Sequence, residues 1–110
     1  EVGMDKKGEI DFLTKIIKPN LGIITNVSYA HAKNFKNLSD IAFAKSEIID
    51  NIKSGGTIVL NKDDKFFNFF EKKALKRNLK IVSFGTSKKC EISFKKVIKN
   101  KNSLKLINHI

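Results

Sequence analysis

Residues 57–84 read TIVLNKDDKFFNFFEKKALKRNLKIVSF, and the fold is decided in this stretch. Its ends, TIVLN at 57–61 and KIVSF at 80–84, are short apolar runs rich in β-branched residues. Such runs suit strands buried in a parallel sheet. Between them Phe66, Phe67, Phe70 and Ala74 recur at helical spacing, predicting a helix through about Asn78. Asp63 or Asp64 is placed to cap its start. Strand, helix and strand at these lengths make a parallel crossover unit.

The same grammar extends toward the amino end. LGIITNV at 21–27 is another apolar run, expected to be a strand buried on both faces. A polar loop over 28–37 follows it. Asn37 or Ser39 then caps a helix that runs to about Ile52 and stops at Ser54-Gly55-Gly56. Earlier still, Ile10, Leu13, Ile16 and Ile17 share one face of a helix over 8–18, which Pro19-Asn20 ends. Beyond Lys89, residues 91–99 and 103–108 read as two β segments around Asn100-Lys101-Asn102, a hairpin-like appendage after a turn at Gly85-Thr86-Ser87. The expected fold is therefore α/β, a partial and mostly parallel sheet with flanking helices over 1–85 and a β extension over 90–110. All 110 residues fit one domain.

Composition narrows the function classes. No stretch of eighteen or more apolar residues exists, so a transmembrane helix is not expected. No basic-then-apolar leader is present. A single cysteine, Cys90, excludes an internal disulfide and a cysteine metal cage, and a reducing cytoplasm fits best. The net charge of +11 comes entirely from residues 65–110, where thirteen basic residues face only Glu71 and Glu91. A basic half of this kind raises a nucleic-acid-binding or anionic-surface module as an alternative function. Of 22 basic residues, however, only Arg77 is arginine, the type suited to bidentate phosphate and base recognition. Most of the charge reads as solvated surface. The opening Glu1-Val2-Gly3 lacks an initiator Met and reads as the end of a strand already under way, so a fragment of something longer is expected.

Candidate chemistry collects beyond the carboxyl ends of the strands, where open parallel sheets bind ligands. Glu1, Asn26, His31, Asn61, Asp63 and Asp64 all fall there. Taken alone, each has a plainer explanation: a loop histidine is usually solvated, and an Asp pair before a helix is usually a cap. Lys45 is the anomaly. It lies on the apolar stripe of Ile41, Ile48 and Ile52. Periodicity by itself favours a snorkelling lysine with its ammonium in water; the alternative is a functional amine turned toward the rim of His31. A carboxylate, a histidine and such a lysine suit divalent cations and phosphates. No G-x-x-x-x-G-K-[ST] loop is present.

EVGMDKKGEI (1–10), TNVSYAH (25–31), AKSEI (44–48) and NKDD (61–64) occur in order and, taken together, resemble the central ATP-binding domain of the Mur ligase family. The opening E-x-G-x…G-E-I is most similar to the D-alanyl-D-alanine-adding, MurF-type members, and the match spans about residues 1–85. The resemblance implies a P-loop-type central domain, here truncated, and an ATP-dependent ligase that joins D-alanyl-D-alanine to UDP-N-acetylmuramoyl-tripeptide through an acyl phosphate. Other superfamily ligases, of amino-acid or folylpolyglutamate type, are the neighbouring alternatives. By position, Glu1 would be a Mg²⁺ ligand near the ATP phosphates and His31 would bind a second Mg²⁺. Lys45 would be carbamylated, its new carboxylate helping to hold that second metal, and Asn26 would shape the nucleotide-side loop. A monomeric cytoplasmic enzyme with small-molecule substrates is implied. The phosphate-binding loop and the adenine-side motif would lie outside these residues, so the chain alone is not expected to turn over. Three departures stand out: Ala32 to Asn37 in place of a glycine-containing stretch, Ser46 in place of a common Gly, and Lys62 where Ala is usual.

Overall fold

A computed structural model describes residues 7–28, 35–86, 89–90, 92–99 and 104–109, the last two segments chiefly by backbone path and pairing. The elements run α1 (Glu9–Ile17), β1 (Leu21–Ile24), α2 (Leu38–Lys45), α3 (Glu47–Asn51), β2 (Thr57–Asn61), α4 (Phe67–Lys76), β3 (Lys80–Gly85), β4 (Ile92–Lys99) and β5 (Leu104–His109). One sheet holds all five strands in sequence order. The first four are mutually parallel and β5 returns antiparallel to β4. The mostly parallel α/β sheet expected from the sequence is thus present.

The register explains the core. Gly22 and Ile24 of β1 align with Ile58 and Leu60 of β2, and these with Ile81 and Ser83 of β3, so one face of the sheet is continuous. Ile24, Ile58 and Leu60 on that face meet Ala42, Ile49, Ile52, Phe67, Phe70 and Ala74 from the helices. The other face is more open: Leu21 and Ile23 are 55% and 54% exposed. Among the described residues β1 is the edge strand and is covered on one face, where its apolar run suggested burial on both. It also ends at Ile24, short of Val27.

The helix over Glu9–Ile17 forms where expected but turns differently. Ile10 and Thr14 are buried, whereas Phe12, Leu13, Ile16 and Ile17 are exposed. A polar clasp sets this orientation. The Glu47 carboxylate accepts from the Gly8 and Asp11 N–H groups, both at 3.0 Å, capping α1 from another helix. Asn51 donates from Nδ2 to Thr14 Oγ1 and Asp11 Oδ1, each at 2.9 Å. Buried polar groups need partners and apolar side chains need only area, so the clasp fixes which face docks.

Between α2 and α3 the expected single helix breaks at Ser46. Asn37 caps the first part, its side chain accepting from Asp40 N–H at 2.9 Å. Ser46 is fully buried; its hydroxyl donates to the Phe43 carbonyl at 2.6 Å and accepts from Lys73 Nζ at 2.8 Å. Lys73 also pairs with Asp50 at 3.2 Å, so Ser46 and Lys73 tie α4 to the α2–α3 break. The C-terminal carbonyls of α3 are closed by Arg77, whose Nη1 donates to Ile49, Asp50 and Ile52 at 2.7, 2.8 and 2.9 Å. The chain's sole arginine is engaged in holding a helix end.

The N-cap position of α4 is Phe66, without a side-chain cap of its own; Asp64, two residues earlier, accepts from Phe66 N–H at 2.8 Å and so caps the turn that leads into the helix, while Asp63 does not. Nor is the C-terminal hairpin a separate appendage: β4 joins the sheet through Phe84↔Ile92 and Gly85↔Ser93. Parallel neighbours normally need a long crossover. Here β4 starts where β3 ends and overlaps it at two positions, so a short connection suffices.

Arg77→Ala leaves three helix-end carbonyls without their donor. It should lower unfolding free energy by about 2 kcal/mol, and Arg77→Lys should recover only part of that, read as the urea midpoint. A Cβ on Gly56 would sit 2.6 Å from the Asn20 carbonyl and 2.8 Å from that of Lys53. Backbone cannot yield there as a side-chain tip can, so Gly56→Ala should cost roughly 1–3 kcal/mol in the same experiment.

Candidate functional site

The carboxyl ends of β1, β2 and β3 form one rim, and the segment Asn61-Lys62-Asp63-Asp64 after β2 binds the other two ends to it. Asn61 donates from Nδ2 to the Thr25 carbonyl at 2.8 Å and accepts at Oδ1 from Asp63 N–H at 2.9 Å. Asp63 Oδ2 accepts from Thr86 N–H at 2.9 Å. Gly85, at φ 158°, leaves the space that the Asp63 carboxylate occupies, since a Cβ there would lie 2.9 Å from Oδ1. Asp64 accepts from Val27 N–H at Oδ2 and from Phe66 N–H at Oδ1, both at 2.8 Å.

Lys45 reaches this rim from the last turn of α2. Its stem runs beside the core, and its Nζ donates to the Asn26 carbonyl at 2.6 Å. Burial pushes the amine below the ordinary lysine range, and the nearby Asp64 carboxylate offsets part of that effect. The ammonium ends on a backbone carbonyl at an exposed contact, as a snorkelling lysine with a fixed partner would. It stands half-buried at the carboxyl end of β1. A groove of about 540 Å³ between α1 and the free side of β1 includes Thr25 and Lys45 in its wall.

Of the residues singled out in the sequence, Asn26 and Lys45 are brought together. Glu1 and His31 lie outside the described residues. Among the described residues no group of three His, Cys, Asp or Glu side chains is arranged to hold a metal. What Lys45 offers is an amine whose charged form burial disfavours relative to an ordinary lysine. Capture of CO₂ requires an amine to give up its proton, so this setting is compatible with a carbamate. Asp64 was underread in the sequence, where a cap explained it adequately. Its place beyond the carboxyl end of a parallel strand is plain in the sequence, but its partner, Val27 N–H, leaves no mark there.

The match to the family model for the Mur ligase middle domain covers residues 1–109. The chain belongs to the Mur ligase middle-domain family. It is 45% identical over 86 residues to the UDP-N-acetylmuramoyl-tripeptide–D-alanyl-D-alanine ligase of Borreliella burgdorferi, a match covering 76% of this chain and 18% of that protein. A crystal structure of MurF from Acinetobacter baumannii superposes with a TM-score of 0.84 at 27% identity, covering 97% of this chain and 23% of that one. MurF ligase from Thermotoga maritima, solved in complex with ADP, shares the fold with a TM-score of 0.79 at 24% identity, over 98% of this chain and 24% of that one. This Mur ligase segment thus spans about a fifth of the length of the curated relatives it matches. Among its described residues no helix is long and apolar enough to cross a membrane.

The lowered Lys45 value has a signed consequence. The folded protein is penalised while this amine is charged, and the penalty fades as pH rises toward the ordinary lysine range. Amine-directed labelling, read by peptide mass spectrometry, should reach half-completion at Lys45 at lower pH in the native protein than in the urea-unfolded one.

Proposed function

We propose that this chain is part of the ATP-binding middle domain of a longer, ATP-dependent ligase that adds D-alanyl-D-alanine to UDP-N-acetylmuramoyl-tripeptide in peptidoglycan synthesis. The observation that carries the reading is the meeting of Lys45 and the Asn26 carbonyl at the strand-end rim, within a segment 45% identical to such a ligase. The ADP complex of the Thermotoga maritima relative supports ATP as the nucleotide.

In this reading Glu1, His31 and Lys45, if carbamylated, would hold two Mg²⁺ ions, which would supply charge neutralisation for transfer of the terminal phosphate to the tripeptide carboxylate. The acyl phosphate so formed is attacked by the D-alanyl-D-alanine amine, and phosphate leaves. Lys45 contributes in two ways. Its desolvated setting releases the amine proton at lower pH, and its helix fixes the direction in which the modified side chain projects. Asn26 shapes the loop between β1 and His31.

Lys45→Met separates a functional amine from a snorkelling one. Assayed in the full-length protein as ADP release with all three substrates, it should lower the rate at least about a hundredfold, since metal-held charge is worth several kcal/mol. Its thermal midpoint should stay level or rise slightly, because a desolvated ammonium has been removed. Undiminished ADP release by Lys45→Met would overturn the role given to Lys45. Lack of ATP-dependent ligation by the unsubstituted full-length protein would overturn the functional reading as a whole.

A further inference from the structure

Asn26 C=O and Val27 N–H belong to the same peptide group, and the rim grips that group from both sides. Lys45 Nζ donates to its oxygen at 2.6 Å, and Asp64 Oδ2 accepts from its N–H at 2.8 Å. A trans peptide is planar and its two polar groups point in opposite directions. The cation therefore meets the negative end of the peptide dipole and the carboxylate meets the positive end. Turning the plane about its chain axis would break both contacts together.

The carboxylate is itself fixed. Its second oxygen, Oδ1, accepts from Phe66 N–H at 2.8 Å, at the entrance to α4. Asp64 is thus anchored to the helix that follows β2, and it holds the loop that follows β1. Asp63, one residue earlier, turns the other way and holds Thr86 N–H after β3. The two adjacent carboxylates do different work, and only Asp64 faces the lysine side.

We infer that Asp64 is a positioning residue for the ligation, setting the Lys45 amine in place through the Asn26–Val27 peptide. The inference rests on the ligase reading given above. Both oxygens of Asp64 are engaged by backbone N–H groups; it acts by denying the peptide plane, and so the lysine, alternative orientations. Groups that act through geometry of this kind change the rate of the chemical step more than they change substrate binding.

The test is Asp64→Asn in the full-length ligase, with kcat and the KM for ATP measured separately and the thermal midpoint recorded. Asparagine keeps the shape but has one acceptor oxygen, so it serves Phe66 or Val27 and turns an amide donor toward the other. The expected result is a kcat lowered about ten- to a hundredfold, with the ATP KM within about twofold, in enzyme that is folded at the assay temperature. If Asp64→Asn does not fold, Asp64→Glu retains the charge and displaces the carboxylate by one methylene; the same loss of kcat at constant KM is expected. A kcat within about twofold of the unsubstituted enzyme overturns the inference. So does a rise in KM at constant kcat, or a loss no greater than the unfolded fraction. An unsubstituted full-length protein that releases no ADP removes the ligase reading, and this inference with it.

Discussion

Three parallel strands that end at one level leave backbone donors and acceptors facing the same space, and those groups must be paired. Here they are paired by the side chains of a single turn. Asn61 takes the last carbonyl side of β1, Asp64 the loop just beyond it, and Asp63 the loop beyond β3. Because all three come from four consecutive residues, the ends of β1 and β3 are referenced to β2. The half-buried amine of Lys45 is then set against a fixed carbonyl, with the Asp64 charge near enough to temper its desolvation. The position of the lysine depends on this turn, while burial is the main influence on its proton.

The parts of the fold that follow from local periodicity were legible in the chain. TIVLN, the Phe-rich helix and KIVSF formed at the expected places, the helix shorter at both ends and the strands buried at alternate positions only, with Phe67, Phe70 and Ala74 buried. Those elements pack by area, and area is visible in the spacing of apolar residues. α1 was legible as a helix but not in its orientation. Its docking is governed by Glu47 and Asn51, which lie more than thirty residues away in the chain, and periodicity carries no information about such partners. The burial of β1 failed for a related reason. An apolar run states what a strand can tolerate on each face, and it does not state which neighbours are present.

The candidate site was legible unevenly. Lys45 drew notice because a cation on an apolar stripe conflicts with its surroundings, and the structure resolves the conflict through the Asn26 carbonyl. Asp64 drew little, because aspartate before a helix is ordinary. Its actual partner, Val27 N–H, lies 37 positions back. Glu1 and His31 rest on the family pattern, outside the described residues, and the sequence remains their whole support.

The way β4 meets the sheet sets how the domain comes apart. β4 and β5 are registered to each other at six positions, while β4 is registered to β3 at two. A hairpin bonded mainly to itself, and to the sheet at two positions, is expected to open more readily than the β1–β3 layer it adjoins. Its amides are then expected to exchange with solvent through a local opening that leaves the Asn61–Asp64 turn intact.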